Sequence, residues 1–203
     1  MKNVNANFPF NTNEFGVVVY SASSDAIDKV YVDAATRLGE LLAKANITCI
    51  NGGGNMGLMG EVIDSVLKHG GKVKGVIPKF MVDSGWSHEN LSEQIVTNTM
   101  HERKQKMVEL SDAVIALPGG VGTLEELLEI ITWKQLGLYK HPIIILNTNS
   151  YYSSLIEMFD NMIKQNFMHE RYRELWCVVS TPEEAIAELN KETPSFSHMV
   201  KFE

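Results

Sequence analysis

Cysteine is scarce in this chain: 203 residues carry only Cys49 and Cys177. Each stands in a short apolar, β-like run, Ile47–Ile50 or Cys177–Val179. They read as small buried hydrophobes, not as a disulfide framework or metal knuckle, and a reducing cytoplasm is the simplest setting. The histidines, His69, His88, His101, His141, His169 and His198, form no i, i+4 pair and have no cysteine at ligand spacing, which argues against a metal site. Basic residues are also short, with 18 Lys and Arg against 25 Asp and Glu and a net charge of −7. That balance disfavours a nucleic-acid partner, since such binding needs many cationic contacts to phosphates. It leaves room for a small anion held locally. No apolar run approaches the roughly 18 residues of a membrane span. The stretch Met1–Asn13 is polar, with none of the apolar core of a secretory signal. No G-x-S-x-G elbow is present, so a serine hydrolase has no support.

What the chain does have is alternation. Apolar runs at Phe15–Tyr20, Ile47–Ile50, Val73–Ile77, Ala113–Leu117, Ile143–Leu146 and Trp176–Val179 read as strands, with a short one at Ile95–Val96. Helical patterns separate them, over about Asp25–Ala45, Gly57–His69, Thr99–Leu110, Leu124–Leu136, Tyr151–Gln165 and Pro182–Asn190, while Lys79–Ser92 reads as a loop. Strands apolar throughout and separated by helices imply a parallel sheet covered on both faces. The expected fold is α/β: a doubly wound, Rossmann-like three-layer sandwich, with its ligand site at the carboxyl ends of the strands. One domain over residues 14–191 is expected, with tails at 1–13 and 192–203.

Two glycine motifs fall at such strand ends. Gly52-Gly53-Gly54-Asn55-Met56-Gly57 has G-x-G-x-x-G spacing, but the next strand ends Val76-Ile77-Pro78-Lys79 without the carboxylate that a dinucleotide ribose needs. A tight turn and a mononucleotide cradle both remain open. The second motif, Pro118-Gly119-Gly120-Val121-Gly122-Thr123-Leu124-Glu125-Glu126, joins a strand to a helix and leaves backbone N–H groups free for an anion. Here Thr123 and Glu126 form T-x-x-E, either a capping box or a reacting carboxylate. Helical spacing puts Met100, Arg103, Met107 and Leu110 on one otherwise apolar face. An arginine there needs an ion pair or an anion. Lys104 is ambiguous, and Lys106 fits a solvated face. Ser21, Ser23 and Ser24 close the first strand as ligand contacts, or Ser24 caps the following helix.

Taken together, Gly52–Gly60, Met100–Lys104 and Pro118–Glu126 resemble the LONELY GUY (LOG) family of cytokinin riboside 5′-monophosphate phosphoribohydrolases, often labelled lysine decarboxylase-like. Pro118–Glu126 matches its PGGxGTxxE at every fixed position. The resemblance implies hydrolysis of the N-glycosidic bond of an adenine-type nucleoside 5′-monophosphate by a homodimer without a cofactor. It places catalysis on Arg103 and Glu126. Substrate contacts fall on Gly53, Gly54, Gly57, Met100, Lys104, Gly119, Gly120, Val121, Gly122, Thr123, Leu124, Glu125 and Thr132. Pairing with Arg103 is expected to lower the pKa of Glu126 and suit it to charge stabilisation. Trp133 and Tyr139 look exposed and fit an interface. A decarboxylase would need a Schiff-base lysine and a large cofactor domain, and neither is visible. The rival from another class is a non-catalytic nucleotide or molybdopterin-type cofactor carrier. Two departures stand out. The first strand ends Tyr20-Ser21-Ala22-Ser23-Ser24 instead of a Cys-Gly-Ser-Ser-like turn, and the loop after Pro78 has no clear acidic substrate contact.

Overall fold

The computed structural model describes residues 15–189 and 191; the expected tails, 1–13 and 192–203, lie outside them, as do residues 14 and 190 of the expected domain. Strands β1 (Gly16–Tyr20), β2 (Thr48–Asn51), β3 (Val73–Pro78), β4 (Glu93–Thr97), β5 (Ala113–Ala116), β6 (Ile143–Leu146) and β7 (Cys177–Val179) form one sheet. All six pairings are parallel, in the order β4-β3-β2-β1-β5-β6-β7. Helices α1 (Lys29–Lys44), α2 (Gly57–Lys68), α3 (Lys79–Asp83), α4 (Met100–Glu109), α5 (Val121–Gln135), α6 (Ser153–Lys164) and α7 (Pro182–Glu188) connect them.

The central strands are buried on both faces because helices cover each side. Along β1, Val17 and Val19 face a core built with Leu38 and Leu42 of α1 and Val62 and Ile63 of α2. Val18 and Tyr20 face the other, with Met107 of α4 and Leu127 and Ile130 of α5. This is the period-two alternation of a strand with two buried faces. Strands β1 to β4 wind outward in one direction, and the chain then returns to place β5 on the free side of β1. Beyond the carboxyl ends of β1 and β5 the connections diverge, which opens a crevice at the switch point.

Several boundaries differ from the sequence reading. Helix α1 begins at Lys29 with Asp28 at its N-cap, so Ser24 does not cap it. The carboxylate of Asp25 instead accepts from the Gly57 N–H at 2.8 Å. The expected loop after Pro78 opens with α3, and a further stretch of 3-10 helix occupies Glu170–Leu175. Helix α5 begins at Val121, three residues earlier than the apolar pattern indicates. Tyr139 is buried rather than exposed. Among the described residues no helix is long and apolar enough to cross a membrane.

Lys134, in the last turn of α5, is 4% exposed and has no carboxylate within ion-pair distance among the described residues. Its Nζ donates to the His141 carbonyl at 2.9 Å, and burial lowers its pKa from 10.5 to about 8. Below about pH 8 both folded and unfolded states hold the proton and the burial penalty is constant. Between about 8 and 10.5 the native state releases it first, so stability rises with pH. Lys134→Met is therefore expected to stabilise the protein by about 1–3 kcal/mol at pH 7, with the gain fading towards pH 10. Urea denaturation at the two pH values reads this. A lower midpoint at pH 7 would mean that the bond to His141 outweighs the cost of burial.

Candidate active site

The crevice, about 530 Å³, is lined by several elements. The end of β1 supplies Ser21, Ala22 and Ser23, the first glycine turn supplies Gly54, Asn55 and Met56, and the first turn of α2 supplies Met59. Met100 and Arg103 come from α4, and Gly120 to Thr123, Glu125 and Glu126 from the second motif, while Met81 and Trp86 close the outer side.

Arg103 is the fixed point of this arrangement. Its residue is 5% exposed, and its guanidinium is held by the strand ends: Nε donates to the Val76 carbonyl at 3.0 Å and Nη2 to the Gly52 carbonyl at 3.1 Å. A Cβ on Gly52 would lie 1.8 Å from Nη2, so only glycine leaves room for the arginine. The first glycine of the turn is thus explained by a protein cation and not by a phosphate. Nη1 points towards Glu126 Oε1, 4.0 Å away, which is an ion pair too long for a hydrogen bond.

Glu126 lies in the second turn of α5 with its side chain 13% exposed. Burial pushes its carboxyl from 4.5 up to about 7, against the pull of Arg103 and with a further push from Glu125. This reverses the expected direction. At 4.0 Å the attraction of Arg103 does not offset desolvation. Glu126 therefore sits where it can exchange a proton near neutral pH.

The capping-box reading of Thr123 and Glu126 fails on geometry. The N-cap of α5 is Gly120, which places Thr123 inside the first turn, and no side chain caps the helix. Thr123 is buried under Gly119, where a Cβ would stand 2.1 Å from Thr123 Oγ1. The N–H groups of Val121, Gly122 and Thr123 donate to no acceptor among the described residues. Gly120 and Gly122 have open space where a Cβ would point. Together these leave room for an anion at the positive end of the helix.

In the first glycine turn most of the N–H groups already have acceptors. Gly53 N–H donates to Asn51 Oδ1, Gly54 N–H to Met59 Sδ, Asn55 N–H to the Trp86 carbonyl and Gly57 N–H to Asp25. Gly53 and Gly57, both at positive φ, lie outside the crevice lining; Gly54 is in it.

Lys104, Gly119, Leu124 and Thr132 are likewise not among the lining residues. Lys104 is buried and donates to Glu125 and, at 3.0 Å, to Glu129, tying α4 to α5. Leu124 packs against the core beneath α5. Thr132 is exposed, and its hydroxyl donates to the Leu128 carbonyl.

Two contributors were not singled out in the sequence. Met81 and Trp86 reach the crevice because the loop after α3 folds back: Ser87 bridges to Gly54, and His88 N–H donates to the Gly53 carbonyl at 2.8 Å. An aperiodic loop gives no sequence signal for such a fold-back. Ser21, read only as one of three candidates, is 5% exposed with its Oγ unpartnered among the described residues.

An open parallel sheet, an uncapped helix end and an arginine–carboxylate pair at the switch point define a Rossmann-like α/β protein with a crevice at the carboxyl edge of its sheet. The family model described as "Possible lysine decarboxylase" matches residues 59–189. A "Probable cytokinin riboside 5'-monophosphate phosphoribohydrolase" of Oryza sativa subsp. japonica is 41% identical over 184 residues, covering 91% of this chain and 75% of the relative. A cytokinin riboside 5′-monophosphate phosphoribohydrolase of Arabidopsis thaliana is 40% identical, covering 88% of this chain and 83% of its own. Among solved structures, a molybdenum cofactor binding protein of Rippkaea orientalis superposes with a TM-score of 0.65 at 24% identity, over 86% of this chain and 93% of that one. A molybdenum cofactor carrier protein of Chlamydomonas reinhardtii gives 0.66 at 20%, over 87% and 95%. At such identities the structural likeness speaks for the fold alone. The chain belongs to the LOG family.

Because the folded pKa of Glu126 lies above its ordinary 4.5, the native state holds a proton that the unfolded chain has released between about pH 4.5 and 7. Stability falls with rising pH across that window and levels off above it. Glu126→Gln is therefore expected to raise stability by about 1–3 kcal/mol at pH 8 and to change it little near pH 4.5. Thermal melts across this range read the difference. Destabilisation at every pH would instead assign Glu126 a structural hydrogen-bonding role.

Proposed function

We propose that the protein hydrolyses the N-glycosidic bond of adenine-type nucleoside 5′-monophosphates, cytokinin riboside monophosphate or AMP, to free base and ribose 5-phosphate. The observation that carries this reading is Glu126: a carboxyl raised to about 7, beside Arg103 and next to the uncapped start of α5. The activity named for the rice and Arabidopsis relatives supports it.

In this reading the 5′-phosphate sits on the N–H groups of Val121, Gly122 and Thr123. The ribose then falls beside Glu126, with Ser21 in the lining of the same space, and the base lies towards Met56, Met81 and Trp86. As the C1′–N9 bond breaks, its electron pair leaves with the base and positive charge grows on the ribose. Ionised Glu126 stabilises that charge, orients a water on C1′ and accepts its proton. Arg103 stays protonated and holds the carboxylate in place. The departing base takes up a proton from solvent and Glu126 returns the water's proton to solvent, so that one water is consumed.

The protein acts as a homodimer in this proposal, in the reducing cytoplasm where free Cys49 and Cys177 stay as thiols. Support for a second copy comes from the outer face of α5, where exposed Leu128 and Leu136 flank Thr132 and Leu138 follows at 71% exposed. Such an apolar stripe suits a protein interface. Sedimentation equilibrium is expected to give twice the chain mass, and Leu136→Lys with Leu138→Lys to give the single-chain mass.

The test of the reaction is direct. Wild-type protein incubated with AMP or isopentenyl-AMP is expected to release base and ribose 5-phosphate. Glu126→Gln is expected to keep nucleotide binding and lose about 100-fold or more in turnover. Tight nucleotide binding with no base released from either substrate would favour the carrier.

A further inference from the structure

Every carbonyl in the loop that leads into α5 already has a donor. Leu117 O accepts from the Tyr152 hydroxyl at 2.6 Å and Gly119 O from the Tyr151 hydroxyl at 2.7 Å. Pro118 O accepts from the Ala22 N–H at 3.3 Å and Gly120 O from the Leu124 N–H at 3.0 Å. Two of the four donors are thus neighbouring tyrosines from the connection between β6 and α6.

That connection is held in an uncommon shape. Asn149 and Ser150 have φ of 51° and 59°, a region that residues with a side chain seldom occupy. Asn147 Oδ1 accepts the Tyr152 N–H at 2.6 Å, and the Ser150 and Tyr151 N–H groups bond back to Asn147 and Thr148. The Tyr151 ring stands edge-on to Tyr31 of α1 at 5.7 Å and to Tyr152 at 5.0 Å. Tyr152 is 1% exposed, whereas Tyr151 is 45% exposed.

The physical need is specific. A Gly-Gly segment resists peptide rotation weakly, because no Cβ restricts it. A carbonyl oxygen rotated towards a bound phosphate would repel it, while the N–H groups of the helix end attract it. Holding the carbonyls on tyrosine hydroxyls removes that alternative.

We propose that Tyr151 and Tyr152 are positioning residues for phosphate: they keep the Gly119 and Leu117 carbonyls turned away, so that the N–H groups of Val121, Gly122 and Thr123 converge on a 5′-phosphate. This rests on the phosphate placement given under the proposed function. Neither tyrosine is among the residues that line the crevice.

Calorimetric titration of the full chain with ribose 5-phosphate and, separately, with adenine tests the idea independently of turnover. Tyr151→Phe removes one hydroxyl from a half-exposed ring, so the fold is expected to persist. Its affinity for ribose 5-phosphate is expected to fall about fivefold, with adenine affinity held within about twofold. The KM for AMP is expected to rise in parallel, by more than kcat falls. Tyr152→Phe is expected to act in the same direction, with its melting temperature followed because it leaves a buried carbonyl unpaired. Unchanged ribose 5-phosphate affinity in Tyr151→Phe, equal losses for adenine, or wild-type protein that binds no ribose 5-phosphate would each overturn the proposal. If wild type binds ribose 5-phosphate and Tyr151→Phe weakens that binding as expected, yet wild type releases no base from AMP, the hydrolase reading fails and this one stands.

Discussion

Everything at the crevice depends on burying one guanidinium. Arg103 cannot shed its charge, so the fold must supply acceptors where it lies. It does so with the carbonyls of Val76 in β3 and Gly52 just beyond β2, oxygens that a parallel sheet leaves free at its carboxyl edge. That choice fixes glycine at position 52 and fixes the approach of α4 to the sheet. The remaining guanidinium nitrogen then faces Glu126 across 4.0 Å. The result is a carboxyl whose charge is partly compensated and partly desolvated, a balance that a tighter pair would destroy.

The layered fold was legible because its strands are apolar on both faces and its helices are amphipathic, and such periodicity survives in any context. The inward Arg103 was legible for the same reason: a cation on an apolar face is visible in the sequence alone. What periodicity could not decide was the meaning of T-x-x-E. The pattern occurs at Thr99–Glu102, Thr123–Glu126 and Thr181–Glu184. The first threonine accepts the N–H of its glutamate, and the third forms a full capping box. The middle one lies within a helix already begun at Val121, because glycines rather than a side chain make the turn. Local pattern fixes the residue types, while the preceding backbone decides whether the helix start coincides with them.

The two glycine motifs teach the same lesson in reverse. In sequence both look like anion cradles at strand ends. In the fold the first has the N–H groups of Gly53, Gly54, Asn55 and Gly57 bonded to Asn51, Met59, Trp86 and Asp25, whereas the second leaves those of Val121, Gly122 and Thr123 free. The partners come from a loop, a neighbouring strand end and a methionine one turn on, none of which a motif specifies. Met81, Trp86, Tyr151 and Tyr152 escaped notice for a related reason: their roles arise from loops that fold back over distant turns.

With one polar anchor and not two, the crevice grips a ligand asymmetrically. Under the proposed reaction, substrate and sugar product share the phosphate that this anchor holds, whereas the freed base touches only the looser side formed by Met56, Met81 and Trp86. Departure is then ordered, with the base leaving first and the sugar phosphate lingering. The slow step of a catalytic cycle would be set by the helix end that makes binding possible, and accumulating sugar phosphate would throttle the enzyme long before accumulating base.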